Sequence, residues 1–448
     1  MIKTLRYAIC LAAVAIAMQA QAGRLVFNGA SHAVIEETPT KDTGLNDLYI
    51  IYDTKGVTAT YTASSDNVAW YKYSNGSAAY KEQIPTRVSG KEHTIDLEAK
   101  DMGYVIEDGN SIYYCWIVDY ATHFLDLSGL EPDDVTDCNS VRLSFSGKAD
   151  AITYYTITGV PKTLSRDLHL EYHTLHYDAI IETYVDSVAT QTFDFIKDAI
   201  SATAPLCSTD FTLSGDRFLI RWGEEQSITP NFNYEPVGVE AETTAVQQIR
   251  ESDNEQKVET EGLGGSAPVY ITFKAAVTDA AIFREWQMSR DQEFQTIDDR
   301  YQQLEFDYTF RDEGVTYIRF VANNADGTCE YVGETYTVTI GESSLLCPNA
   351  FSPGASEGVN DEWKVSYKSI IEFQCSIFNR WGQHIISFSD PSIGWDGKYH
   401  GKLVPAGVYF YVIKARGSDG RVYNLKGDIN IVRSKSNGTG GGGDKPVE

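Results

Sequence analysis

Apolar and polar residues alternate in short runs along most of the chain, and no stretch longer than about 15 residues keeps an apolar period of 3.6. That pattern predicts strands rather than helices. In its clearest instance Val269, Ile271, Phe273, Ala275 and Val277 share one face while Tyr270, Thr272 and Lys274 share the other, as in a strand with a single buried side. Further strands are expected at 282–287, 315–322 and 335–340, with Asn324-Ala325-Asp326-Gly327 as the turn before the last. Trp286 falls on the central strand of this set, where packing in the core is its ordinary role.

An early strand, a central strand carrying Trp and a closing hairpin are the plan of an immunoglobulin-like sandwich, and residues 266–342 are close in size to the polycystic-kidney-disease type. Residues 23–131 echo the plan more weakly, with strands at 57–62, 68–71 and 112–118 and Trp70 in the place of Trp286. Between them, residues 132–246 are expected to form a second immunoglobulin-like domain from strands at 141–145, 151–158, 168–177 and 217–222. Seven acidic and two basic residues lie in 240–261, followed by Gly262-Leu263-Gly264-Gly265, so 247–265 is expected to be an acidic, glycine-bearing linker. The fold class is all-β: tandem immunoglobulin-like β-sandwiches, with a small antiparallel sandwich still to come at the end of the chain.

Charge then narrows the function. The 448 residues include 37 basic and 63 acidic side chains, a net of −26, which repels phosphate backbones and argues against a nucleic-acid partner. Lys3 and Arg6 precede an apolar run at 8–18 and the small-residue site Ala20-Gln21-Ala22, so residues 1–22 read as a signal peptide cleaved before Gly23. No later run approaches the roughly 18 apolar residues of a membrane span, so no transmembrane segment is expected in the mature chain. Cys115, Cys138, Cys207, Cys329, Cys347 and Cys375 remain after the leader, an even number that leaves their pairing open.

The end of the chain differs from the rest. Residues 347–433 hold ten basic and eight acidic side chains, a net of +2, which leaves −30 on 23–346. Here Pro348-Asn349-Ala350-Phe351-Ser352-Pro353 leads to Gly358-Val359-Asn360-Asp361-Glu362-Trp363. Then follow Phe378-Asn379-Arg380-Trp381-Gly382-Gln383, Trp395-Asp396-Gly397-Lys398 and Val404-Pro405-Ala406-Gly407-Val408-Tyr409. The Asp-Gly and Pro-Ala-Gly steps are turn formers between alternating strands. These spaced motifs resemble the gliding-motility-associated C-terminal domain, the type B sorting domain of type IX secretion cargo, over about residues 346–433. The resemblance implies passage from the periplasm through the outer-membrane translocon to the cell surface or medium. It also implies that Asn379, Trp381, Gly382, Trp395, Asp396, Gly397, Pro405, Gly407 and Tyr409 carry the sorting motif, mostly by fixing turns and packing. The chain departs from the family in its 354–358 turn and in the Gly-rich tail 434–448, which follows the last strand.

Catalytic motifs are absent: no G-x-S-x-G, H-E-x-x-H, Walker A loop or Cys/His zinc spacing occurs. On a strand His169, Glu171 and His173 would share a face and could hold a divalent metal, but a solvated strand face accounts for the same residues. An acidic sandwich loop could take calcium, although no calcium-loop pattern is present. No cofactor is expected. The sequence therefore reads as a non-enzymatic exported protein whose immunoglobulin-like modules bind or space, with translocon components and a surface protein or glycan as partners. A sorting-domain protein retained at the translocon is the alternative, and a secreted hydrolase the third reading.

Overall fold

A computed structural model describes residues 24–133, 137–354, 358 and 360–432. The expected signal peptide and the tail 434–448 lie outside the described residues. The chain divides into two compact units, one made of residues up to Thr174 with Ser187–Glu235, the other of Leu175–Asp186 with residues from Pro236 onward. Among the described residues it is all β apart from one short α-helix and three 3-10 turns. Among the described residues no helix is long and apolar enough to cross a membrane.

In the first unit a four-stranded sheet faces a six-stranded one. The smaller runs in the order Leu25–Asn28, Thr58–Thr62, Glu92–Asp96, Arg87–Ser89. The larger runs Ile35–Glu37, Asp47–Ile51, Ser111–Asp119, Met102–Asp108, Val68–Tyr73, Glu82–Ile84. Its central strand Ser111–Asp119 ends in five consecutive buried residues rather than an alternation. The reason is that both of its faces are covered. Cys115 and Ile117 join Trp70 and Ile106 in one core, whereas Trp116 and Val118 join Leu143, Tyr154 and Leu170 in another. The second core belongs to three further sheets. These are Asp126–Pro132 with Ser140–Lys148 and Ala199–Thr203; Ile152–Tyr155 with Pro161–Leu164; and Thr183–Phe193, Leu168–Asp178, Phe211–Gly215, Gln226–Ile228.

One expected strand is a helix. Residues 217–222, with Phe218-Leu219-Ile220 as a short apolar run, are expected as a strand, but Arg217–Trp222 is α-helical. The Asp216 carboxylate caps it by accepting from the backbone N–H groups of Phe218 and Leu219, and Gly223 closes it in the left-handed region at φ 80°. With local caps at both ends, a six-residue run is held as a helix that periodicity alone does not reveal.

The second unit contains the sandwich around Trp286. The sheet Ala241–Gln247, Val269–Val277, Glu305–Phe310 packs on the sheet Leu263–Gly265, Tyr336–Ile340, Gly314–Asn323, Phe283–Ser289, Asp299–Tyr301. Trp286 is wholly buried among Phe273, Ile318 and Phe320. The last sandwich has a five-stranded sheet in the order Ala350–Phe351, Val422–Ile431, Gly407–Gly417, Ile370–Asn379, His384–Phe388, with small pairs Ser344–Leu346/Ser366–Lys368 and Lys398–Tyr399/Lys402–Leu403. Cys375, which carries a free thiol, lies in its core with Trp363, Trp395 and Ile413.

Residues 247–265, expected as a linker, run against both sandwiches. Leu263–Gly265 is a parallel strand beside Tyr336–Ile340. Upstream of it, Asn254 donates to the Val365 and Pro391 carbonyls at 2.7 and 2.8 Å, while its own carbonyl accepts from Tyr367 N–H at 3.1 Å. Gln256 N–H reaches the Tyr367 carbonyl at 2.7 Å, and Lys364 pairs with Asp253 at 3.0 Å. Downstream, Ser369 N–H donates to Ser266 Oγ at 2.7 Å. The segment is a strap that ties the last sandwich to the one before it.

Candidate functional site

The expected motif residues fall into two groups in the last sandwich. The first group is internal. Trp363 and Trp395 exchange backbone hydrogen bonds of 2.9 and 3.0 Å and are wholly buried. Their indole N–H groups are satisfied by the carbonyls of Pro348 at 2.7 Å and Lys398 at 2.9 Å. Tyr409 packs its ring 5.1 Å from that of Trp395 and donates its hydroxyl to the Pro405 carbonyl at 3.1 Å. Asp396 accepts from Lys398 N–H at 3.0 Å and Nζ at 2.7 Å. Burial works to raise its carboxyl, but those donors outweigh it and hold Asp396 below the usual carboxylate range. Gly397 sits at φ 73°, where a Cβ would come within 2.8 Å of the Pro353 ring. These residues build a frame.

The second group is a turn at the surface. Asn379 holds it: its side-chain oxygen accepts from the N–H groups of Trp381 and Gln383, each at 3.0 Å, and its Nδ2 donates to Gln383 Oε1 at 3.0 Å. Its backbone N–H reaches the Gln383 carbonyl at 2.9 Å, and Gly382 takes the left-handed conformation at φ 80° that closes the turn. Trp381 projects from this frame with 75% of its surface exposed. Arg380, which is not among the residues expected to carry the motif, places its guanidinium 4.2 Å from the centroid of the Trp381 ring. Beside them opens a groove of about 320 Å³ lined by Ile385, Tyr399, Val404, Pro405, Val408 and Tyr409 among others.

The outer face of the five-stranded sheet continues this surface. Val408, Phe410 and Val412 are 42–44% exposed, with Phe378 paired to Phe410 in register and His384 5.6 Å from Phe378. The exposed residues alternate with buried Tyr409 and Ile413, so the sequence showed a strand but did not say that its outer face would carry an aromatic stripe.

The metal candidates belong to the first unit. His169, Glu171 and His173 lie on the strand Leu168–Asp178, and His169 Nδ1 is hydrogen-bonded to Thr192 Oγ1 at 3.1 Å. Among the described residues no group of three or more His, Cys, Asp and Glu converges as a metal site.

Comparison with known proteins assigns these units. Residues 345–431 match the CHU_C type IX secretion signal domain, and residues 131–230 match a fibronectin type III domain. No curated protein matches the chain. Solved structures with some likeness include a tetra-tandem repeat from the extending region of a large adhesion protein, at 11% identity over 84% of this chain and 95% of that one, TM-score 0.20. Fibronectin(III)-like modules of Clostridium thermocellum CbhA cover 42% of this chain and 95% of their own at 11% identity, TM-score 0.18. A calcium-stabilized ice-binding adhesin of an Antarctic bacterium covers 92% and 100% at 11% identity, TM-score 0.19. The chain thus carries a type IX secretion signal domain at 345–431 and a fibronectin type III match at 131–230, within a fold that is β-sandwich throughout the described residues.

Proposed function

We propose that this protein is a type IX cargo displayed at the cell surface or released outside it, and that its body works without catalysis as a set of binding or spacer modules. The match of residues 345–431 to a type IX secretion signal domain carries the reading. A body of sandwiches with tryptophans sunk in their cores supports the reading of modules that present surface rather than enclose a substrate. In this account the export route ends in the translocon, which reads the last sandwich, and a surface protein or glycan meets the body. Deleting residues 345–448 tests it: the truncated chain should accumulate in the periplasm, and equal external exposure with and without that segment would sink the reading.

A further inference from the structure

We infer that the turn 379–383 and the groove beside it are the grip of the sorting unit, and that the partner engages it with an extended peptide segment bearing a carboxylate. The inference rests on the reading of residues 345–431 as an export signal and adds which face is read and by what chemistry.

The tryptophans supply the first argument. Trp70, Trp116, Trp286, Trp363 and Trp395 are at most 2% exposed and Trp222 is half-buried, whereas Trp381 is 75% exposed. Leaving so large an apolar side chain in water does nothing for the fold. Nor does the turn depend on the indole, since the Asn379 side chain, its backbone and Gly382 fix the path from 379 to 383. An aromatic anchor on a backbone already held in place loses little freedom on binding, and Trp, Tyr and Arg are the side chains that dominate interface energetics.

Charge supplies the second. The groove lining contains Arg380 and no acidic residue, in a chain with 63 acidic side chains. Arg380 makes no ion pair among the described residues, unlike Arg416 with Glu372 or Lys398 with Asp396 on the same domain. A guanidinium laid against an indole keeps its in-plane N–H groups available, and these match a carboxylate in two parallel hydrogen bonds.

Topology supplies the third. His384–Phe388 is the last strand of the five-stranded sheet, and the groove residues Gln383 and Ile385 lie at its start. A segment leaving the groove in extended form runs on to that edge, where backbone hydrogen bonding can add a strand.

The test uses the full-length chain in cells that export it. Trp381→Ala and Arg380→Glu should each lower the externally exposed fraction about tenfold or more, as loss of a dominant contact does. Trp381→Phe should keep most of it. The periplasmic Trp381→Ala and Arg380→Glu proteins should unfold thermally as the parent does, which separates lost recognition from lost folding. If deletion of 345–448 blocks export while these two folded variants leave the cell normally, the grip is elsewhere although the export reading stands. If the deletion also leaves export unchanged, the export reading itself falls. For the chemistry, p-benzoylphenylalanine in place of Val408 should crosslink to a peptide of an envelope protein with Asp or Glu next to the crosslinked residue, and Arg380→Glu should abolish that product. Crosslinks to a lipid or polysaccharide, to residues 434–448 of the same chain, to peptides without acid, or to nothing would each overturn the proposal.

Discussion

Arg166 and Asp216 form an ion pair wholly out of water: Nη1 donates to Oδ2 at 2.7 Å with both side chains 0% exposed. Around it, Tyr120 donates its hydroxyl to the same Asp216 oxygen at 2.9 Å, and Arg166 also reaches the carbonyls of Asp150 at 2.8 Å and His123. Because every polar atom depends on the others, removing one leaves a buried charge. Arg166→Met is expected to cost about 3–5 kcal/mol, seen as a lower midpoint in urea for the unit that contains it.

Asp108 gives a pH-dependent counterpart. It is nearly buried, and its carboxylate accepts from the N–H and hydroxyl groups of Ser64 and Ser65 and from the Tyr61 hydroxyl. Burial pushes its pKa up, but these donors outweigh it and hold the carboxyl far below its ordinary value. A depressed folded pKa stabilises the protein above the unfolded value and loses that contribution as pH falls through the folded one. Asp108→Asn should therefore cost about 1–3 kcal/mol at pH 7. The gap between parent and variant should hold down to about pH 4, the ordinary carboxylate value, and narrow steadily below it, in unfolding curves taken from pH 7 to pH 2.

Gly397 has no room for a side chain. Any Cβ there would meet the Pro353 ring at 2.8 Å at a φ of 73°. Gly397→Ala should destabilise the last sandwich by about 1–3 kcal/mol, whereas Gly382→Ala, which meets no atom within 4 Å at a similar φ of 80°, should show backbone strain alone and a smaller loss. Thermal unfolding of the two variants side by side checks the order.

The strap has its own signature. Asn254→Ala removes the donors to the Val365 and Pro391 carbonyls, so the loop 250–262 should open and be cut faster by a broad-specificity protease while the flanking sandwiches stay folded. Cleavage rates unchanged from the parent would show that the strap is held by other contacts.

The all-β class was legible because period-2 alternation survives wherever one sheet face meets water, as in Val269–Val277. At the buried end of Ser111–Asp119 an apolar run takes its place and still marks the strand, whereas the short apolar run in Arg217–Trp222 misled, because caps at Asp216 and Gly223 hold it as a helix. The strap was read as a linker because its acids and glycines look solvated; the bonds of Asn254 and Gln256 to the 365–367 backbone join residues about 110 apart in sequence. In the site, spaced motifs marked the right segment, but sequence could not separate the buried Trp395 from the exposed Trp381. That distinction rests on whether a turn leaves its side chain over the core, and here Asn379 turns it outward.

We propose that the last sandwich acts as an export address. Because the strap and the sandwich around Trp286 brace it, the address should be carried whole, as residues 236–448. Fused behind a signal peptide and a periplasmic reporter in a type IX-competent host, this segment should bring the reporter to the outer surface or the medium, measured as the fraction digested by added protease in intact cells plus the fraction in the supernatant. A fusion that is stable and folded, yet confined to the periplasm like the reporter alone, would contradict the account.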